Sequence, residues 1–122
     1  MAIKKILLAS SLLIASSLAV PAFSANLVCQ LNVKSGGQVM GNGTSSCNGI
    51  DFSFGSSTSG SWSITNITKS IDRIHWIKGC SSGLSCSVTV RAYSSNEAQA
   101  YIHYDDGSIE YVEADMWYET GY

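Results

Sequence analysis

The side chains of this 122-residue chain that could do chemistry are four cysteines, two histidines, nine carboxylates and a set of aromatic rings gathered toward the C-terminus. Cys29, Cys47, Cys80 and Cys86 lack the C-x2-C spacing of a zinc site, and His75 and His103 form no H-x3–5-H array. An even number of cysteines outside the cytosol reads instead as two disulfides. Cys29–Cys47 and Cys80–Cys86 are the expected bridges, because each pair flanks a Gly/Ser-rich turn that can bring its ends together. No cysteine is then left as a nucleophile, and no metal or other cofactor is expected. The abundant serines lie in Gly/Ser stretches with no G-x-S-x-G elbow. Glu110 and Glu113, in Glu-Tyr-Val-Glu, project to opposite faces of a strand and so make no paired-carboxylate site. With no catalytic constellation in view, the chain is expected not to be an enzyme.

What remains is recognition chemistry. Tyr101, Tyr111 and Trp117 offer flat apolar rings, and Gln99, His103, Glu113 and Asp115 offer hydrogen-bonding groups beside them. Rings give contact area at low entropic cost. The expected contact residues are therefore Tyr101, His103, Tyr111, Glu113, Asp115 and Trp117, facing a protein or carbohydrate. Tyrosine and tryptophan also favour strands in general, so the competing expectation is that the same rings pack against a second sheet. All the acidic residues except Asp51 and Asp72 follow residue 96, and no lysine or arginine does. Such a patch attracts cationic partners and disfavours nucleic acid, which needs a basic surface.

The element that must position these residues is a hairpin. Tyr104-Asp105-Asp106-Gly107-Ser108 fits a type I turn followed by Gly107 in the left-handed region. A three-residue loop pairs Ile102 with Glu110, Ala100 with Val112 and Ala98 with Ala114 on one face. The other face then sets His103 beside Ile109, Tyr101 beside Tyr111 and Gln99 beside Glu113. A four-residue loop would bury carboxylates against the alanines, so the shorter loop is expected.

Ahead of the hairpin the chain falls into short alternating segments. Leu27, Cys29, Leu31 and Val33 alternate with Val28, Gln30 and Asn32; Ile50, Phe52 and Phe54 alternate again, and later Val88, Val90 and Ala92 alternate with Thr89 and Arg91. Gly55 to Gly60 reads as a flexible loop. Trp62 and Ile64 open a strand, and Ile71 to Lys78 is mixed, with Ile74 and Trp76 on one face and Ile71 and Ile77 on the other. Residues 94–101 have some helical propensity, yet the alternation from Ala98 onward argues for strand. Asn42-Gly43-Thr44 and Asn66-Ile67-Thr68 match glycosylation acceptors.

The N-terminus has the three parts of a cleavable secretory signal. Lys4 and Lys5 precede an apolar run from Ile6 to Val20, Pro21 ends it, and Ala22-Phe23-Ser24 puts small residues at −3 and −1 of a cut before Ala25. The run is shorter than the roughly 20 residues of a membrane-spanning helix, so no span is expected after cleavage. The lysine pair and Ala-x-Ser ending are of bacterial style, which argues against glycosylation and for a periplasmic or secreted destination. Residues 1–24 are thus the expected signal peptide and residues 25–122 a single domain. Its cations are Lys34, Lys69, Arg73, Lys78 and Arg91 against nine acidic residues.

The fold expected is all-β: a small antiparallel sandwich of about seven to nine short strands with two disulfides. The strand count, and a Trp strand next to cysteines, resemble immunoglobulin-like sandwiches in coarse architecture. Leu84 stands two residues before Cys86, where that family's tyrosine corner would need a Tyr. The function expected is an exported, non-enzymatic binding module whose contact surface is the acidic, aromatic C-terminal hairpin. The alternatives are a secreted hydrolase inhibitor acting through loop 80–86, or a subunit of a secreted assembly or toxin.

Overall fold

The computed structural model describes residues 24–34 and 36–121. The expected signal peptide, apart from Ser24, lies outside the described residues. Among the described residues eight strands form two sheets: β1 (Asn26–Asn32), β2 (Gln38–Met40), β3 (Ser46–Ile50), β4 (Ser57–Thr65), β5 (Ile71–Lys78), β6 (Ser85–Arg91), β7 (Asn96–Tyr104) and β8 (Ile109–Glu119). One sheet has the order β1-β4-β6 and the other β2-β3-β8-β7-β5. The described residues contain no helix, and hence none long and apolar enough to cross a membrane.

Period-two alternation builds the core. Leu27, Cys29 and Leu31 of β1 and Trp62 and Ile64 of β4 turn inward from the three-stranded sheet. Ala98, Ala100, Ile102 and Tyr104 of β7 and Val112, Ala114, Met116 and Tyr118 of β8 meet them from the other. Each large aliphatic side chain buried this way contributes about 1.5–3 kcal/mol. Trp62, 2% exposed, lies in register with Cys29 on one side and Cys86 on the other. Both expected bridges are present, Cys29–Cys47 and Cys80–Cys86, so both converge on this indole. The first joins β1 to β3 and thus one sheet to the other.

Several local expectations are revised. The large sheet is mixed, because β3 pairs parallel with β8 while the remaining pairs are antiparallel. Phe52 and Phe54 do not continue β3: they stand in the loop that follows it, 54% and 92% exposed. The expected loop over Gly55 to Gly60 ends early, since β4 begins at Ser57. In β5 the register shifts past Asp72 and past Ile77. The first shift brings Ile71 onto the same inward face as Ile74 and Trp76, opposite Tyr104, Ile102 and Ala100.

The outer edges are blunted. The loop between β2 and β3 closes the free side of β1: the Cys29 N–H donates to the Thr44 carbonyl at 2.8 Å, and the Gly43 N–H to the Cys29 carbonyl at 2.9 Å. The Asn42 side chain completes this pseudo-strand, accepting from the Leu31 N–H at 2.8 Å and donating to the Leu31 carbonyl at 3.1 Å. The bulges of β5, with Asp72, Arg73 and Lys78, spoil that edge of the five-stranded sheet as a template for a further strand.

Two core tyrosines carry a pH signature. The Tyr104 hydroxyl donates to Glu110 at 2.6 Å, and the Tyr118 hydroxyl donates to buried Asp51. Burial first, and then the adjacent carboxylate, push each up to about 12. Unfolded tyrosine titrates near pH 10, so the stability these groups contribute is complete below about pH 10. It is lost as the pH rises toward about 12, because the unfolded chain gives up its protons first. Urea midpoints measured between pH 8 and 12 should fall across that window, and a flat profile would contradict the assignment.

Candidate functional site

The turn that positions the hairpin has the expected form. Gly107 has φ +86°, its N–H donates to the Tyr104 carbonyl at 3.0 Å, and the Tyr104 N–H donates to the Ser108 carbonyl at 2.9 Å. Asp106 accepts from the Ser108 N–H at 2.9 Å and pairs with Lys69 at 3.2 Å. The Ser108 donors, and then Lys69, hold the Asp106 carboxyl down at about 2. The β7–β8 register is Ala98↔Ala114, Gln99↔Glu113, Ala100↔Val112, Tyr101↔Tyr111, Ile102↔Glu110 and His103↔Ile109. The alanine face is buried, and the opposite face turns to solvent.

That outward face runs across the whole five-stranded sheet. At one end, His75 of β5 lies in register with Tyr101 of β7, which lies in register with Tyr111 of β8. The His75 and Tyr101 rings are 6.4 Å apart at their centroids, and Tyr101 and Tyr111 are 5.1 Å apart with a 51° tilt. His103 sits beside them, half-buried, between Arg73 and Ile109. In the middle, Glu97, Glu113 and Asp115 surround a shallow depression of about 300 Å³. At the far end, Trp117 lies level with Asn48 of β3 and Met40 of β2, lining a groove of about 260 Å³. All six residues expected from the sequence therefore share one face, with Tyr101, Tyr111 and Trp117 exposed at 39%, 44% and 37%. The rings are surface, and the competing expectation of packing against a second sheet does not describe them.

Carboxylates two residues along hold the rings in place. The Tyr111 hydroxyl donates to Glu113 at 3.0 Å and the Trp117 Nε1–H donates to Glu119 at 3.0 Å. Partial burial, and then Glu113, raise the Tyr111 hydroxyl above its ordinary range. Glu97 is held low by the Ser95 hydroxyl at 2.7 Å and then by Lys78 at 3.6 Å. Several contributors to this face lie outside the hairpin. Hairpin alternation alone does not reach His75 and Arg73 of β5, Met40 of β2 or Asn48 of β3, whereas the repeated aromatic-x-Glu in Tyr111-Val112-Glu113 and Trp117-Tyr118-Glu119 is the sequence signal for the two clamped rings. Among the described residues no three His, Cys, Asp or Glu side chains converge as a metal site, and no cysteine is free.

Loop 80–86 is constrained beyond its disulfide. The Trp76 Nε1–H donates to the Gly83 carbonyl at 2.9 Å, and the Ile64 N–H donates to the Leu84 carbonyl at 2.8 Å. Leu84 is left 46% exposed. Comparisons with protein-family models, curated proteins and solved structures return no match to this chain.

Proposed function

We propose that this chain is an exported, non-enzymatic binding module, and that its contact surface is the outward face of the β7–β8 hairpin and the strands beside it. Two disulfides support a destination outside the cytosol. The immunoglobulin-like likeness extends only to two packed sheets and supplies a scaffold, not a function. The observation that carries the reading is the set of exposed rings, two of which, Tyr111 and Trp117, have their polar tips fixed by neighbouring carboxylates. Rings held in one pose lose little entropy on contact, which is what makes aromatic anchors efficient. The partner class favoured is a polypeptide presenting lysine or arginine: Glu97, Glu113, Asp115 and Glu119 supply counter-charges between ring faces that accept cations. The tilt between Tyr101 and Tyr111 breaks the flat platform that would suit a sugar ring.

Basic peptides and soluble oligosaccharides titrated into the wild type and into Y101A/Y111A/W117A test this. Lysine- and arginine-bearing peptides should bind the wild type and weaken with added salt. In the triple variant affinity should fall at least about 30-fold, the loss of one strong aromatic anchor, while the thermal transition stays cooperative. Binding of oligosaccharides alone, lost in the same variant, would reassign the face to carbohydrate. Unfolding of the variant, or binding unchanged by it, would remove the surface from the proposal.

The second reading, a hydrolase inhibitor, draws on the clamped loop Ser81-Ser82-Gly83-Leu84-Ser85 with its exposed leucine. No inhibition across a panel of proteases and cell-wall hydrolases counts against it. A role as a subunit of a secreted assembly or toxin requires the purified protein to be oligomeric.

A further inference from the structure

A hydrogen bond just ahead of β1 falls where the sequence expects the leader to end. Ser24 is exposed, while Ala25 is buried at 7%. The Ala25 nitrogen donates to Glu110 Oε2 at 2.8 Å, across 85 positions of chain. The other oxygen of the same carboxylate accepts from the Tyr104 hydroxyl at 2.6 Å. Glu110 is thus oriented by the hairpin and aimed at the one nitrogen that processing would turn from an amide into an amine. Among the described residues the ion pairs are Lys69–Asp106 and Lys78–Glu97, and neither engages Glu110. A half-buried carboxylate with two donors and no side-chain cation is a seat for a positive charge.

We propose that cleavage between Ser24 and Ala25 releases an α-ammonium group that pairs with Glu110, so that processing fastens the first strand to the last hairpin. The proposal rests on the export reading. The leader-cleaving peptidase uses one water: the Ser24–Ala25 peptide bond breaks, the hydroxyl goes to the Ser24 carbonyl carbon and the hydrogen to the Ala25 nitrogen. At neutral pH that amine takes up a further proton. An amide–carboxylate hydrogen bond, in which only the acceptor is charged, becomes an ammonium–carboxylate pair in which both partners are. The 2.7 Å bond from Asn66 Nδ2 to the Ser24 carbonyl leaves with the leader, which makes Glu110 the principal tether of the new terminus. Charged and titratable groups near the Ala25 nitrogen are Glu110 on β8 and Tyr104 on β7. Lys69 lies over the Tyr104 ring at 4.7 Å and is paired to Asp106. Tyr111 and Glu113 line the neighbouring groove.

The test uses the full chain, expressed with its leader and purified after processing, as wild type and as E110Q. Glutamine keeps an acceptor for Tyr104 and removes the charge. Intact mass should place the terminus at Ala25. The α-amino pKa, read by NMR after isotopic reductive methylation, should lie at least one unit above the ordinary value of about 8 in the wild type and near ordinary in E110Q. Acetylating Ala25 should lower the thermal midpoint of the wild type and leave that of E110Q unmoved. A terminus other than Ala25 would overturn the processing reading and the pairing with it. A terminus at Ala25 with the same α-amino pKa in both proteins would overturn the pairing alone.

Discussion

Removing the Cys29–Cys47 bridge, as C29A/C47A, is expected to cost this domain about 3 kcal/mol through loop entropy, and up to about 5 kcal/mol as cystine removal in small domains goes. The bridge spans 18 positions, against 6 for Cys80–Cys86, and entropy restored to the unfolded chain grows with the logarithm of that length. C80A/C86A should therefore cost less, about 2 kcal/mol. Packing widens the gap: Cys29 and Cys47 are 1% and 0% exposed, while Cys86 is only partly buried. With total stability of order 5–15 kcal/mol for a domain of this class, C29A/C47A should show a large drop in urea midpoint. The assignment fails if C80A/C86A proves the more damaging pair.

Asp51 is expected to give the other large effect. It is 1% exposed and follows β3 directly. Its carboxylate accepts the Lys34 N–H at 2.7 Å and the Tyr118 hydroxyl, while its own N–H donates to the Glu119 carbonyl at 2.9 Å. One side chain thus ties the exit of β1 to the end of β8. Gly37 is required beside it, because a Cβ there would lie 2.4 Å from Asp51 Oδ1. D51A leaves the buried Tyr118 hydroxyl and the part-buried Lys34 N–H without this acceptor, at about 1–3 kcal/mol for the first and less for the second, so a loss of roughly 2–4 kcal/mol is expected. Y118F removes one of those donors. In D51A/Y118F the two losses should sum to less than their separate values, with coupling of at least about 1 kcal/mol in urea unfolding. Strict additivity would show that the hydroxyl and carboxylate do not depend on each other.

How much of this was legible in the sequence depended on how local the determinant was. The β7–β8 register was readable because Asp105-Asp106-Gly107 admits one turn geometry and a slip would bury carboxylates against Ala98 and Ala100. The disulfides followed from proximity along the chain. The parallel seating of β3 on β8 was not legible, since nothing within Ser46–Ile50 names residues 115–119 as partners. The Gly/Ser run at the start of β4 misled for a packing reason. A Cβ on Gly60 would lie 2.8 Å from the Gln30 carbonyl and 2.9 Å from Val90, so its glycine answers crowding inside the sandwich. The bulges of β5 likewise bring Ile71 to the face of Ile74 and Trp76, where spacing alone puts it on the other. For the site, alternation along one hairpin was enough to place six residues on one face. It could not show that His75, Met40 and Asn48 from other strands extend that face.

The seating of β3 on β8 also sets an order of events. β8 is the last of the described strands, yet it lies between β3 and β7 in the middle of its sheet. A polypeptide emerging N-terminus first can pair β2 with β3 and close Cys29–Cys47, because those partners are near in sequence. The other side of β3 then waits until residues 115–119 arrive. Such non-local pairing slows folding, since the loop must be closed before its contacts reward it. Completion is therefore gated by the arrival of β8, and the early disulfide holds the waiting half of the sandwich in a loop short enough to be found.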